Sequence, residues 1–284
     1  MNLPLSLRGT TTRRRTRSRG AASSPPSRTW RWCSIRPTAA RGTPWVIRAR
    51  DKKRGLADAA GGDRDRDRRR RREADMRVAI LGAGNVGSAV ARAARNTGND
   101  VIVAAKTNEK LEGLADDLGI ETTTANTDAV KNADVVVLAV PFDAAEEVTG
   151  EIADVVAGTI VIDVMNPLKD DLSGLATGER SSAEVVQERL PGAKVVKAFN
   201  TVFASNQADP TVDGTQLDGF VAGDDPDAKK HVSYLLEEIG FRPIDVGPLS
   251  RARFLEGMAL LNIALNATNG WSWQSGWKLV GPTK

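Results

Sequence analysis

From Met76 onward, apolar residues recur at two spacings that predict alternating strands and helices. Continuous apolar runs, of which residues 134–140 are the clearest, are typical of parallel strands that are buried on both faces. The segments between these runs carry apolar residues at helical spacing. Strands are predicted at 77–81, 100–104, 121–124, 134–140, 159–163, 194–198, 219–222 and 242–246. Helices are predicted at 88–94, 109–118, 127–132, 144–156, 182–190, 227–239 and 250–266.

This alternation predicts an α/β fold with a doubly wound parallel sheet, because helices that connect parallel strands cover both faces of a sheet. The pattern contains no internal repeat and no separate all-helical region. We therefore predict one compact domain over residues 76–284 that ends in a C-terminal helix. The apolar positions of that helix are Leu255, Met258, Leu261 and Leu265.

Residues 1–75 differ from the rest of the chain in charge and in periodicity. They hold 22 Lys+Arg against 7 Asp+Glu, whereas residues 76–284 hold 18 against 29. An Arg-rich segment with no apolar period is typical of disorder, so we predict a disordered basic extension. Three interpretations stay open: an electrostatic tail for nucleic acid or anionic surfaces, an organellar presequence, and a misassigned start with translation from Met76. The abrupt change at Met76 favours the third.

The composition also limits the function classes. Cys33 is the only cysteine, so the chain can form neither an internal disulfide nor a cysteine-based zinc site. No apolar run reaches the length of a membrane span, and the N-terminus lacks the apolar core of a secretory signal. We expect a cytoplasmic protein with no membrane partner and no nucleic acid on the folded domain. The net charge of −11 over residues 76–284 resembles proteins adapted to high salt, which favours a halophilic source.

A glycine-rich turn follows the first predicted strand and leads into an alanine-rich helical segment. In a strand–turn–helix unit, the first glycine permits a tight turn, the second lets a pyrophosphate approach the backbone, and the third lets helix and strand pack closely. The helix start then supplies free N–H groups to the phosphates. The sequence thus predicts a Rossmann-type dinucleotide site. We predict that the cofactor contacts Gly82, Ala83, Gly84, Asn85, Val86 and Gly87.

The end of the second predicted strand bears on which dinucleotide binds. A site specific for NAD usually places an acidic residue there for the ribose hydroxyls. This chain has Ala105, Lys106 and Thr107 instead. Because a 2′-phosphate needs positive charge and hydrogen-bond donors, we predict that these residues bind NADP in preference to NAD.

The remaining candidates follow the later strands, since ligands of doubly wound sheets bind beyond the carboxyl ends of the strands. They carry few ionisable groups. The only histidine, His231, falls on the polar side of a predicted helix and is expected at the surface, so nucleophilic schemes and metal ligation are unsupported. Amides and apolar walls suit hydride transfer between two stacked coenzymes, for which alignment and exclusion of water matter most. The predicted contacts are Val140, Pro141, Phe142 and Asn166, with Asn200 and Thr201 as positioning residues.

Several segments together resemble the NADPH-dependent reductases of the deazaflavin coenzyme F420. These segments are 82–87, 137–141, 197–201, 223–225 and 245–249, with Arg253 and Glu256. The chain is also similar to the cytosolic reductase domain of six-transmembrane metalloreductases, which shares the Phe-Asn-Thr segment at 199–201. The resemblance implies an oxidoreductase that moves hydride reversibly between NADPH and F420, or a flavin such as FMN or FAD.

Two other functions stay open: an NADP-dependent reductase of imines or carbonyls, like pyrroline-carboxylate reductases or β-hydroxyacid dehydrogenases, and a sensor that binds NADP(H) without turnover. The C-terminus is unusually aromatic, with Trp271, Trp273 and Trp277. These residues suit a wall of a ring-binding site, a dimer contact, or packing of the tail on the body. A homodimer is the expected assembly.

Overall fold

The computed structural model describes residues 76–281, which form an eight-stranded sheet with helices on both faces and a small hairpin. The strands are β1 Arg77–Leu81, β2 Asp100–Ala104, β3 Glu121–Thr123, β4 Val135–Leu138, β5 Ile160–Asp163, β6 Lys194–Lys197, β7 Thr211–Val212, β8 Thr215–Gln216, β9 Asp218–Gly223 and β10 Arg242–Gly247. The helices are α1 Asn85–Asn96, α2 Glu109–Leu118, α3 Asn126–Val130, α4 Ala145–Ile152, α5 Ser182–Arg189, α6 Pro226–Ile239 and α7 Ala252–Asn269. Short 3₁₀ turns lie at Phe142–Ala144, Ala204–Asn206 and Leu249–Arg251.

The strand order is β10-β9-β6-β5-β4-β1-β2-β3. The chain runs outward from β1 through β2 to β3, returns to β4 on the other side of β1, and continues outward again. The order therefore reverses between β1 and β4, which is the place where doubly wound sheets leave a crevice for ligands. The glycine-rich turn follows β1 and so opens directly on this crevice.

The predicted α/β class with a Rossmann-type sheet is confirmed, with one local difference. Strands β1 to β6 are mutually parallel, but β9 pairs antiparallel with β6, while β10 runs parallel to β9. The segment between β6 and β9 contains only a 3₁₀ turn and the β7–β8 hairpin. A parallel crossover needs a longer covering connection, usually a helix, so the chain enters the sheet in the opposite direction.

The core forms two apolar layers, one on each face of the sheet. Helices α1, α2 and α6 cover one face, where Val90, Leu111 and Leu235 are buried. Helices α3, α4, α5 and α7 cover the other face, where Ile152 and Val186 are buried. Strands between the two layers are buried on both sides, which explains their continuous apolar runs.

The C-terminal helix α7 turns only the first half of its apolar stripe to the core. Leu255 is buried and Met258 packs on the apolar layer, whereas Leu261 and Leu265 are 50% and 38% exposed. The packed face also carries the buried polar residues Glu256, Asn262 and Asn266. The residue pattern of the helix indicated its extent, but which face is buried depends on polar partners from other elements.

The predictions for residues 1–75, namely disorder and a start at Met76, lie outside the described residues, as do residues 282–284. Within the described part, no helix combines the length and the apolar character required to cross a lipid bilayer.

Candidate functional site

The glycine-rich turn has the steric properties that the sequence predicts for it. Gly82 has φ of +116°, and a Cβ there would lie 2.3 Å from the carbonyl oxygen of Ala139 at the end of β4. A Cβ on Gly87 would lie 1.9 Å from the carbonyl oxygen of Gly82. A Cβ on Gly84, by contrast, would meet no atom within 4 Å other than its chain neighbours, so this glycine faces open space. The turn is therefore closed against the protein at two glycines and open at the third, which fits a cradle for a pyrophosphate.

The end of β2 lies beside this turn, since the N–H of Gly82 donates to the carbonyl oxygen of Ala104 at 2.8 Å. Ala105 is half-buried, whereas Lys106 and Thr107 are exposed. Lys106 donates from Nζ to Oε2 of Glu147 on α4 at 2.7 Å. The hydrogen bond to Glu147 and its charge raise the pKa of Lys106. The cation is thus available to a phosphate, in competition with one carboxylate.

The segment after β4 supplies the opposite wall of the turn. Val140 is half-buried, and its Cγ1 lies next to the position that a Cβ of Gly82 would occupy. Pro141 is exposed, and Phe142 is half-buried and packs on the apolar layer below α4. These residues present an apolar surface at the switch point, where a nicotinamide ring is expected.

The loops after β5 and β6 are joined by a pair of amides. Asn166 donates from Nδ2 to the carbonyl oxygen of Asn200 at 3.0 Å, and Asn200 donates from Nδ2 to Oδ1 of Asn166 at 2.9 Å. Phe199 directly precedes Asn200 and has φ of +63°. Nε2 of Gln207 donates to the carbonyl oxygen of Phe199 at 3.0 Å. Asn200 is 5% exposed, and its Oδ1 has no partner among residues 76–281. A buried acceptor of this kind fits a donor on a bound ligand.

A cavity of about 130 Å³ lies next to this amide pair. Its walls come from the start of α1 at Val86, from the amide pair with Thr201, and from α7 at Asn262. None of the residues around it is ionisable. The cavity therefore joins the nucleotide turn to the strand-end loops through uncharged groups alone.

Behind the amide pair lies a buried ionic network that sequence reasoning missed. The Nζ of Lys197 donates to Oδ2 of Asp163 at 3.0 Å, to Oε1 of Glu256 at 2.9 Å and to Oγ of Ser182 at 2.8 Å. All three charged side chains are fully buried. Burial raises the pKa of Glu256, the charge of Lys197 lowers it, and the net shift is upward. Lys197 also donates to the carbonyl oxygen of Met165, the residue before Asn166.

A signal for this network was present in the sequence. Asp163 closes the apolar strand β5, Lys197 follows the buried pair Val195 and Val196 at the end of β6, and the register pairs Asp163 with Lys197 directly. Opposite charges at the ends of two neighbouring buried strands predict an ion pair. The third partner, Glu256, comes from α7, and spacing along the chain does not locate it.

The remaining candidate is His231, which is exposed on α6 and faces the backbone oxygen of Asp227 at 2.8 Å. In the part of the chain that the structure describes, no group of three or more His, Cys, Asp or Glu residues could hold a metal ion.

These features agree with the similarity of the chain to known proteins. A sequence model of a family described as "NADP oxidoreductase coenzyme F420-dependent" matches residues 77–167. The F420-dependent NADP reductase of Methanocaldococcus jannaschii is 34% identical over 215 residues, which cover 67% of this chain and 92% of that protein. The chain belongs to this family. It is an NADP-dependent oxidoreductase with a Rossmann-like fold.

Three further comparisons show how far the likeness extends. This chain is 32% identical over 185 residues to the rat metalloreductase STEAP3. The match spans 65% of this chain and about a third (36%) of that protein. A crystal structure of a candidate F420-dependent NADP reductase from Arthrobacter sp. FB24 has a TM-score of 0.67 at 28% identity, covering 72% of this chain and all of that one. The imine reductase of Myxococcus stipitatus, with a TM-score of 0.52 at 20% identity over 68% of this chain and 62% of its own, shares the fold alone.

Proposed function

We propose that this reductase transfers hydride between NADPH and a deazaflavin of the F420 type. The observation that carries the proposal is the uncharged cavity beside the glycine turn, which is lined by both amides of the Asn166–Asn200 pair. A site whose lining residues are not ionisable suits a reaction between two coenzymes, because the coenzymes supply the chemistry. The similar reductases of methanogenic archaea are named for the same pair of coenzymes.

The nucleotide is held in this proposal by three groups of residues. The turn from Gly82 to Gly87 receives the pyrophosphate, with the open side of Gly84 toward it. The segment from Ala105 to Thr107 receives the 2′-phosphate, chiefly through Lys106. The wall from Val140 to Phe142 supports the nicotinamide ring and excludes water from one of its faces.

The acceptor is held by the strand-end loops. Asn166 fixes the orientation of Asn200 through the paired amides, and both residues line the cavity that would take the ring of the acceptor. Thr201 borders the same cavity and adds a hydroxyl. The bound coenzymes supply the redox step: one hydride leaves NADPH to give NADP⁺, and the oxidised deazaflavin takes up that hydride and one proton from solvent. The protein aligns the two rings and lowers the entropic part of the barrier.

The test follows NADPH oxidation by the purified full chain with oxidised F420, with FMN and with no acceptor. We expect rapid, saturable oxidation with F420 only. Turnover of FMN alone would replace the deazaflavin with a flavin acceptor. Tight NADPH binding without turnover of either acceptor would contradict the proposal and favour an imine or carbonyl substrate or a sensor. Because residues 76–284 carry a net charge of −11, the assay is run at low and high salt, and activity that rises with salt would support a halophilic source.

We also propose that two copies of the chain associate through α7. Its outward face carries Phe254, Leu261 and Leu265, which are 70%, 50% and 38% exposed. A contiguous apolar stripe of this kind is typical of a subunit contact. Light scattering on the preparation used for the assay should give twice the mass of one chain, and a monomeric mass would refute the contact. One domain beginning at residue 76 and a cytoplasmic location remain predictions.

A further inference from the structure

We propose that Trp273 and Phe203 form an aromatic wall at the acceptor cavity, and that Trp273 contacts the ring of the acceptor. This inference rests on the proposed function and names a specificity residue for it. Trp273 lies in the tail that follows α7, where its backbone is left-handed, the tail is hydrogen-bonded on both sides, and Phe203 connects it to the cavity.

The backbone of Trp273 adopts the left-handed conformation, with φ of +59°. This region is unfavourable for a bulky residue and is held only where the surroundings enforce it. Two elements do so here. The N–H of Trp273 donates to Oδ1 of Asn266 on α7 at 3.2 Å, and its carbonyl oxygen accepts from Oγ of Ser205 at 2.7 Å.

The residues after Trp273 are anchored in the same way. Asn206 donates from Nδ2 to the carbonyl oxygen of Gln274 at 2.7 Å. Asn262 donates to the carbonyl oxygen of Ser275 at 3.2 Å and accepts from its hydroxyl at 2.7 Å. The tail is thus tied both to the loop after β6 and to α7. Asn262 also borders the acceptor cavity, so the anchor and the cavity share a side chain.

The ring of Trp273 is not buried by these contacts. It is 44% exposed, and it meets Phe203 edge to face, with ring centroids 5.5 Å apart and planes at 79°. Phe203 in turn borders the cavity next to Asn200, so Trp273 reaches the edge of the cavity through Phe203. The bonds from Asn266 and Ser205 hold the strained backbone and so fix the half-exposed ring of Trp273 against Phe203.

The size and charge of the cavity indicate what the wall contacts. Its volume of about 130 Å³ is below the roughly 300 Å³ at which ligand pockets usually begin. A tricyclic ring can therefore place only one edge inside, and the rest must lie across the mouth. No charged side chain borders the cavity in the described chain, so the face of a planar heteroaromatic ring fits better than a localised anion such as a phosphate.

The experiment compares Trp273→Ala with Trp271→Ala in the full chain. Trp271 is a matched control, since it lies two positions earlier and is 48% exposed. The dissociation constants of oxidised F420, FMN and NADPH are measured by equilibrium dialysis, so that the readout does not depend on turnover. We expect Trp273→Ala to weaken F420 binding about tenfold, the size of effect seen when an aromatic that stacks on a planar base is removed. Trp271→Ala should change it less than about twofold, and NADPH binding should be unchanged in both.

Trp273→Phe serves as the conservative variant and should restore F420 binding to within about threefold of the wild type, because stacking needs only a ring face. If the wild type binds F420 and Trp273→Ala binds it equally well, this inference is overturned and the proposed function stands. An equal loss in the Trp271 variant, or an equal loss of NADPH binding, would overturn it as well. Failure of the wild type to bind either F420 or FMN would overturn both proposals.

Discussion

The glycine turn of the proposed nucleotide site comes from one contiguous segment, whereas the proposed acceptor site is assembled from segments that are distant in the chain. The turn at 82–87 connects β1 to α1, and its shape depends on glycines that pack against neighbouring backbone. The acceptor side brings together Asn166, Asn200, α7 and the tail at Trp273. Steric fit of the backbone holds the first, and buried polar bonds hold the second.

Because the two sides are held by different forces, they should respond differently to substitutions. A steric turn fails when an atom is added, because nothing nearby can move. A buried polar network fails when an atom is removed, because a charge or a hydrogen-bonding group then loses its partner in a medium that cannot replace it. Substitutions on the two sides should therefore differ in what they weaken.

Lys197→Met should have the largest effect. It leaves Asp163 and Glu256 buried without their cation, and loss of one partner from a buried ionic network costs about 3–5 kcal/mol of unfolding free energy. Urea denaturation of the full chain measures the loss. The matched control is Lys194→Met in the same strand, whose ion pair with Asp225 is partly exposed and should cost less than about 1 kcal/mol. Equal losses in the two variants would show that the network does not hold the acceptor side.

Gly87→Ala should have an intermediate effect on stability and a strong effect on the nucleotide. The added Cβ would lie 1.9 Å from the carbonyl oxygen of Gly82, so the turn must move. Overpacking of this kind costs about 1–3 kcal/mol. Thermal unfolding and NADPH binding by fluorescence measure the two consequences.

Gly150→Ala is the control for Gly87→Ala, because Gly150 lies within α4 and a Cβ there would meet no atom within 4 Å outside its own helix. Replacing an exposed helical glycine by alanine should raise the free energy of unfolding by about 0.5–1 kcal/mol. Undiminished NADPH binding by the Gly87 variant would contradict the role of the turn and remove the contrast between the two sides.

Lys106→Ala should have the smallest effect and none on stability, because its side chain is exposed and its ion pair with Glu147 lies at the surface. Loss of the cation should weaken NADPH binding about three- to tenfold and leave NADH binding nearly unchanged. Titration with both nucleotides measures the ratio. Glu147→Gln is the opposite variant: it removes the competing carboxylate and should tighten NADPH binding. An equal change for NADH and NADPH would exclude Lys106 from the 2′-phosphate site.

Many features of the fold could be predicted because they depend on neighbours in the chain. Strands β1 and β2 and helix α2 follow from local apolar spacing and lie within the predicted bounds. The turn could also be predicted, because the spacing of its glycines is a local pattern. Its tight fit against the carbonyl oxygen of Ala139 on β4, in contrast, appears only once the sheet has formed.

The tertiary structure alone decided the features that join distant residues. The antiparallel entry of β9 depends on a connection without a helix, and the second half of α7 buries Asn262 rather than Leu261 because Asn262 has a partner in the tail. Ser182 and Glu256 lie 74 positions apart and meet only after the sheet has formed. The physical reason is that dihedral preference and apolar period act between neighbours, whereas satisfaction of a buried polar group selects its partner from the whole chain.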